Sequence, residues 1–217
     1  MDSHLPGPHR AAPIQARTQT RGRLAKVHPP GKYVAVDAQL VYYGIVSRLP
    51  MVARVSVVDY RGNILLDSLV RPTQPVSDYR TAETGLQQAA LASAPTFIEV
   101  QRQVAMLIRD KIIIGYALWQ TLSVLGLSHS TIDTRDIALF MPFRRSLRSR
   151  PNAMLPLMTL VHRFMGRHIS LHGEIPVENA RATLDLFRSC EHIWEEIIET
   201  GAWPCALPPV AFASAFT

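Results

Sequence analysis

Tyr33-Val34-Ala35-Val36-Asp37-Ala38-Gln39-Leu40-Val41 is the stretch from which the fold is read. Apolar, partly β-branched residues run without helix signals up to one carboxylate, so a short buried strand over Tyr33 to Asp37 is predicted, delivering Asp37 to the edge of a sheet. Two positions on, on the same side by the strand's period of two, the chain carries neutral Gln39. Working outward, Met51 to Asp59 is rich in β-branched residues and reads as a second strand. Asp59-Tyr60-Arg61-Gly62-Asn63 supplies a turn, and Ile64 to Val70 returns as a third strand, completing an antiparallel meander.

Arg71 to Thr84 reads as a loop held extended by Pro72 and Pro75, with a short helix over Leu86 to Leu91. Thr96 with Glu99 makes a capping box before a helix whose Phe97, Val100, Val104, Leu107 and Ile108 recur at helical spacing. Ile112-Ile113-Ile114-Gly115 is a continuous apolar run, as expected of a central parallel strand covered on both faces. A helix through Leu118, Leu122 and Leu125 follows, then a short strand within Thr131 to Asp136. Phe143 to Arg150 reads as a basic loop, Met154 to Met165 as a helix with Pro156 in its first turn, and Val177 to Ile198 as the last long helix. Strands first, then alternating helix and strand, predict an α/β fold: a mixed five-stranded sheet, antiparallel meander then parallel strands, flanked by helices.

Charge divides the chain. Residues 1–32 hold six Arg and Lys against Asp2 alone and so carry +5 of the net +6. Their many Pro and Gly residues predict a disordered basic tail; residues 33–200 are the domain, and 201–217 an apolar tail packed on the body or on a partner. Cys190 and Cys205 make no disulfide framework, which points to a reducing, intracellular compartment. No apolar run approaches the roughly 18 residues that span a bilayer.

Ala53-Arg54-Val55-Ser56-Val57-Val58-Asp59, then Gly62-Asn63, Val70-Arg71-Pro72-Thr73, Val76-Ser77-Asp78-Tyr79-Arg80-Thr81 and Gly85, form an ordered series. With them the chain resembles the DEDDh 3′–5′ exonucleases of the ribonuclease-H-like superfamily, in the branch of the eukaryotic RNA exonucleases, from about Tyr33 to Arg188. The resemblance implies a ribonuclease-H-like fold and a nuclear setting. It also implies four carboxylates around two divalent cations, with a His that deprotonates the attacking water. Matched position by position, the family's Asp-x-Glu is Asp37 and Gln39. Its Gly-His-x-Leu-x-x-Asp is Gly115-Tyr116-Ala117-Leu118-Trp119-Gln120-Thr121, and its His-x-x-x-x-Asp-Ala runs from Glu174 to Asn179 and Ala180. Asp37 alone survives among these five positions, Asp136 falling outside the metal shell.

On this matching the chain is expected to be a catalytically inactive exonuclease fold, kept to bind a protein partner or RNA, and not a two-metal nuclease. No cofactor is expected beyond weak Mg or Mn. The alternative is a metal-independent enzyme or small-molecule binder. Its pocket would comprise Asp37, Gln39, Tyr116, Trp119, Gln120, Thr121, Glu174 and Asn179, apolar walls with a few convergent polar groups. Arg144, Arg145, Arg148 and Arg150 are candidate phosphate contacts for RNA, weighed against an ordinary solvated loop. His168 and His172 with Glu174 have metal-ligand residue types, but Gly166 and Gly173 break the helix such a site needs, so surface histidines are the preferred reading.

Overall fold

A computed structural model describes residues 28–150 and 153–216; the basic tail up to residue 27 lies outside the described residues. The opening stretch is the hub of the sheet. Strand β1 (Tyr33–Tyr43) pairs antiparallel with β2 (Leu49–Asp59), and β2 with β3 (Ile64–Leu69). On its other side β1 pairs parallel with β5 (Ile112–Gly115), which pairs parallel with β6 (Thr134–Asp136). The order is β3-β2-β1-β5-β6.

A sixth strand, β4 (Val76–Asp78), pairs with the far end of β1 and was not anticipated within the Pro-containing loop. It belongs with a second correction, because β1 runs on well past Asp37. A bulge between Gln39 and Leu40 shifts the register by one residue, after which Leu40 to Tyr43 keep pairing with Leu49 to Val52 while Tyr42 and Tyr43 accept β4. The pairing with β5 stops at Val36 opposite Gly115. Asp37 is therefore the first residue of β1 beyond its parallel neighbour, at the carboxyl end of the central strands where α/β sheets open a crevice.

Alternation along the strands builds two cores. Tyr33, Ala35, Ile112 and Ile114 pack with Phe187 and Trp194 of the long helix α7 (Pro176–Glu199). Val34, Val36 and Ile113 pack on the opposite face with Val100 and Val104 of α3 (Phe97–Ile108) and Leu118 and Leu122 of α4 (Leu118–Leu125). The capping box on α3 is present, with Glu99 Oε2 accepting from Thr96 N at 2.8 Å.

The expected helix over Leu86 to Leu91 is instead two short ones, α1 (Thr81–Thr84) and α2 (Gln88–Ala92), divided by Gly85 at φ +68° and by Leu86, which turns into the core. Thr131–Asp133 is a 3₁₀ turn ahead of β6. The basic loop is broken by α5 (Met141–Ser146), because Phe143 meets Phe140 edge-on and stacks on Phe164 and so anchors a turn of helix. Helix α6 starts only at Leu157 and ends at Met165, since Pro156 sits in extended backbone before it.

Beyond α7 the chain runs back over the body. Pro204 O accepts from Met141 N (2.9 Å), Leu139 O from Ala206 N (2.9 Å) and Ala215 O from His129 N (3.1 Å). Deeper in, Arg135 is 2% exposed and makes a two-pronged ion pair, Nε and Nη2 each 2.8 Å from a carboxylate oxygen of Glu195. Among the described residues no helix is long and apolar enough to cross a membrane.

Candidate active site

A cleft of about 490 Å³ opens where β1 outruns β5. Asp37 lies on its floor, 9% exposed, with Oδ2 accepting from Asn179 Nδ2 at 3.2 Å. Burial pushes the Asp37 carboxyl up to about 8, and the Glu174 charge adds to this; the bonds from Asn179 and from the Ala38 N–H work against it. Asn179 comes from the first turns of α7, and Thr121 and Gln120 from α4, so three elements converge on one carboxylate. Tyr116 also lines the cleft, but its hydroxyl donates to Leu155 O at 2.8 Å, which pins the segment before α6.

The tight exit from β5 sets this geometry. A Cβ on Gly115 would lie 2.3 Å from Leu118 Cδ2 and 2.9 Å from Val36 O, so only glycine lets the chain leave the strand there. Asp136 then caps the incoming helix. Its carboxylate accepts from Ala117 N (3.0 Å), Leu118 N (2.7 Å) and Ala138 N (2.9 Å), which uses it structurally. Burial nevertheless raises its carboxyl to about 7, against those bonds and the Arg144 charge.

Three sequence-based assignments are corrected. Gln39 is buried behind the cleft and does not line it; its Nε2 donates to Thr84 O (3.2 Å) and to Glu174 O, while its Oε1 is buried without a partner. Trp119 lies on the other side of α4, buried against Ala138 and Leu139 and packed by Phe212 and Phe216. Its place follows from the helix: positions 117 and 121 share a face toward the cleft, and 119 does not. Arg144 is buried, with Nε and Nη2 donating to Ala138 O at 3.1 and 2.7 Å, so it is no surface phosphate contact. Arg145, Arg148 and Arg150 are exposed.

Glu174, Asp37, Tyr116, Gln120, Thr121 and Asn179 are thus brought together, and the signal missed in the sequence is Arg80. It lines the same cleft, and its Nη2 donates to Glu174 Oε1 at 2.7 Å. His168 stacks with His162, ring centroids 4.6 Å apart. Among the described residues no group of three or more His, Cys, Asp or Glu is placed to hold a metal ion. A second concavity, about 220 Å³ and lined by Leu139, Trp203, Cys205, Leu207 and Phe216, is almost wholly apolar; the carboxylate on its border, Asp136, is spent on the cap.

A mixed sheet whose central strands end at a carboxylate-floored cleft, with helices on both faces, is the ribonuclease-H-like exonuclease architecture. The chain belongs to the exonuclease (RNase_T) family, whose model matches residues 35–154. It is 38% identical over 79% of its length to RNA exonuclease 4 of Mycosarcoma maydis, covering 45% of that protein. It is 31% identical over 81% of its length to the apoptosis-enhancing nuclease of Homo sapiens, covering 55% of it. The chain thus spans about half the length of these relatives. Among solved structures, the Pan2 pseudoubiquitin hydrolase–RNA exonuclease module of Saccharomyces cerevisiae in complex with A7 RNA aligns with a TM-score of 0.66 at 20% identity, over 87% of this chain and 33% of that one, a likeness of fold.

These relatives overturn two expectations. The expectation of a catalytically inactive module is contradicted by relatives at 30–38% identity that are named RNA exonuclease 4. The expectation of no cofactor beyond weak Mg or Mn falls with it, since exonucleases of this type normally use these ions. The residues present do not supply a carboxylate cage for a pair of cations, because Thr121 offers a hydroxyl and Glu174 is engaged by Arg80. One carboxylate at the cleft floor, that of Asp37, remains for a cation; Asn179 turns its amide N–H toward it and Gln39 lies behind the cleft. Magnesium commonly takes one or two protein carboxylates and completes its shell with water and substrate phosphate.

Proposed function

We propose that the Asp37 cleft receives the 3′ end of single-stranded RNA, and that the chain is an RNA exonuclease working with a single divalent cation. The observation that carries this is Asp37 itself, a buried carboxylate on the floor of an open cleft at the carboxyl end of the central strands. When bound, the cation neutralises phosphate charge and acidifies a water. Asp37, on the cleft floor, would hold it. Burial raises the Asp37 carboxyl, and a cation would take its deprotonated form, so occupancy would rise with pH.

The walls divide the remaining work. Leu40, Leu157, Met158 and Ile169 offer apolar surface to the terminal base and sugar, while Gln120 and Thr121 offer neutral hydrogen-bonding groups. Arg145, Arg148 and Arg150, exposed on the segment leading to the Pro156 wall, supply sequence-independent attraction for phosphates further along the strand. Two free cysteines suit a reducing compartment.

The test is incubation of a 5′-labelled single-stranded RNA with the protein in Mn²⁺ or Mg²⁺, beside Asp37→Ala. Stepwise shortening from the 3′ end that stops with Asp37→Ala is expected. No shortening by the native chain, or equal shortening by the variant, overturns the proposal.

A further inference from the structure

Arg80 is the one Lys or Arg among the described residues lining the cleft, and it faces an anion already. Glu174 Oε1 lies 2.7 Å from Arg80 Nη2, with the two side chains 37% and 22% exposed, so the pair sits at the cleft wall, open to a ligand. The main chain carrying Glu174 is fixed. Its N–H donates to Glu83 O at 2.7 Å, its carbonyl accepts from Gln39 Nε2, and the same Gln39 amide donates to Thr84 O at 3.2 Å. Gly173, at φ +105°, allows this approach, since a Cβ there would meet Glu83 O at 2.7 Å. A half-exposed ion pair on a free loop is ordinary and weak; this one is held by a buried amide whose two N–H donors span the wall.

We infer that Glu174 is a built-in stand-in for a substrate phosphate, holding Arg80 until an RNA phosphate displaces it, with Gln39 as the positioning residue that keeps Glu174 in place. The inference rests on the RNA reading above. A carboxylate presents a guanidinium with the same kind of anionic oxygen acceptors as a phosphate. Entry of RNA exchanges one charge-assisted bond for another, and while Glu174 remains beside Arg80 it repels the incoming anion. The native chain therefore binds RNA more weakly than its cleft allows, and Glu174 sets the deficit.

The experiment is fluorescence anisotropy of a 5′-fluorescein-labelled oligouridylate in EDTA, which separates binding from cleavage. The proteins are the native chain, Glu174→Gln, Arg80→Gln and the double variant. Glu174→Gln keeps the backbone groups that Gln39 and Glu83 engage, and a matching thermal melt checks that it folds. It is expected to bind about fivefold tighter, in the range a partly exposed ion pair is worth. The gain should shrink as KCl rises and vanish in the Arg80→Gln background. Unchanged or weaker binding by folded Glu174→Gln, or an equal gain without Arg80, overturns the stand-in while native binding leaves the RNA reading intact. If no variant binds the oligonucleotide, the stand-in fails, while the RNA reading stands or falls on the shortening assay.

Discussion

Replacing Gln39 by glutamate restores the residue of the family's Asp-x-Glu pattern, and the structure predicts that it weakens the protein. Gln39 is 1% exposed and its Nε2 serves two carbonyl oxygens, Thr84 O and Glu174 O. A glutamate has no N–H to offer. Below about pH 4, where a carboxyl is protonated in the unfolded chain too, the introduced side chain still donates one O–H, and the loss is roughly one hydrogen bond, ~1 kcal/mol. At higher pH the unfolded chain ionises freely, while the native site resists, being buried and faced by two carbonyl oxygens. Its folded pKa is thereby raised, so the native state holds the extra proton and stability falls as pH rises, by up to about 1.4 kcal/mol per pH unit. The decline ends where the native group ionises, at a total cost of roughly 3–5 kcal/mol, that of an uncompensated buried charge. Urea unfolding followed by circular dichroism at pH 5 and pH 8, in EDTA, reads both ends. A Gln39→Glu protein as stable as the native chain at pH 8, or equally weakened at both pH values, would refute the reasoning.

Asp37→Asn should stop RNA shortening and still stabilise the metal-free protein. The folded carboxyl sits near 8, against about 3.9 for a free aspartate. Native stability therefore declines between those values as pH rises, and the variant should lack that decline in pH-dependent melts. Arg135→Ala strands Glu195 in the core and should cost about 3–5 kcal/mol in denaturant unfolding, whereas Arg135→Met with Glu195→Leu should recover most of it. Gly115→Ala drives a methyl against Leu118 and the Val36 carbonyl; a loss of about 1–3 kcal/mol is expected in the same assay.

The fold was legible wherever local chemistry and tertiary environment agree. The Ile112–Ile114 run, the Thr96–Glu99 box and the apolar spacing of α7 each name an element that the structure contains. The second half of β1 was hidden because Gln39 interrupts its apolar pattern, and its partners lie in β2 and β4. Arg144 was misplaced because four arginines in eight residues read as a solvated loop. Its burial depends on the Ala138 carbonyl, and no charge pattern announces that. Asp37, Thr121, Glu174 and Asn179 were found at the cleft, but Gln39 was assigned to its lining when its partners stand 45 and 135 residues away. The functional reading failed for a different reason. Counting formal charges assumes that protein carboxylates must enclose every cation, whereas water and a substrate phosphate can share that task.

The segment beyond α7 also bears on the order in which the molecule is built. Phe212 and Phe216 cover Trp119, and Pro204 and Ala206 bond to the chain just past β6. During synthesis the strands of the sheet emerge well before this cover does. Until it arrives, the indole and the adjoining apolar residues face water or whatever binds nascent chains. The segment 203–216 thus completes the burial of Trp119, although none of its described residues lines the cleft.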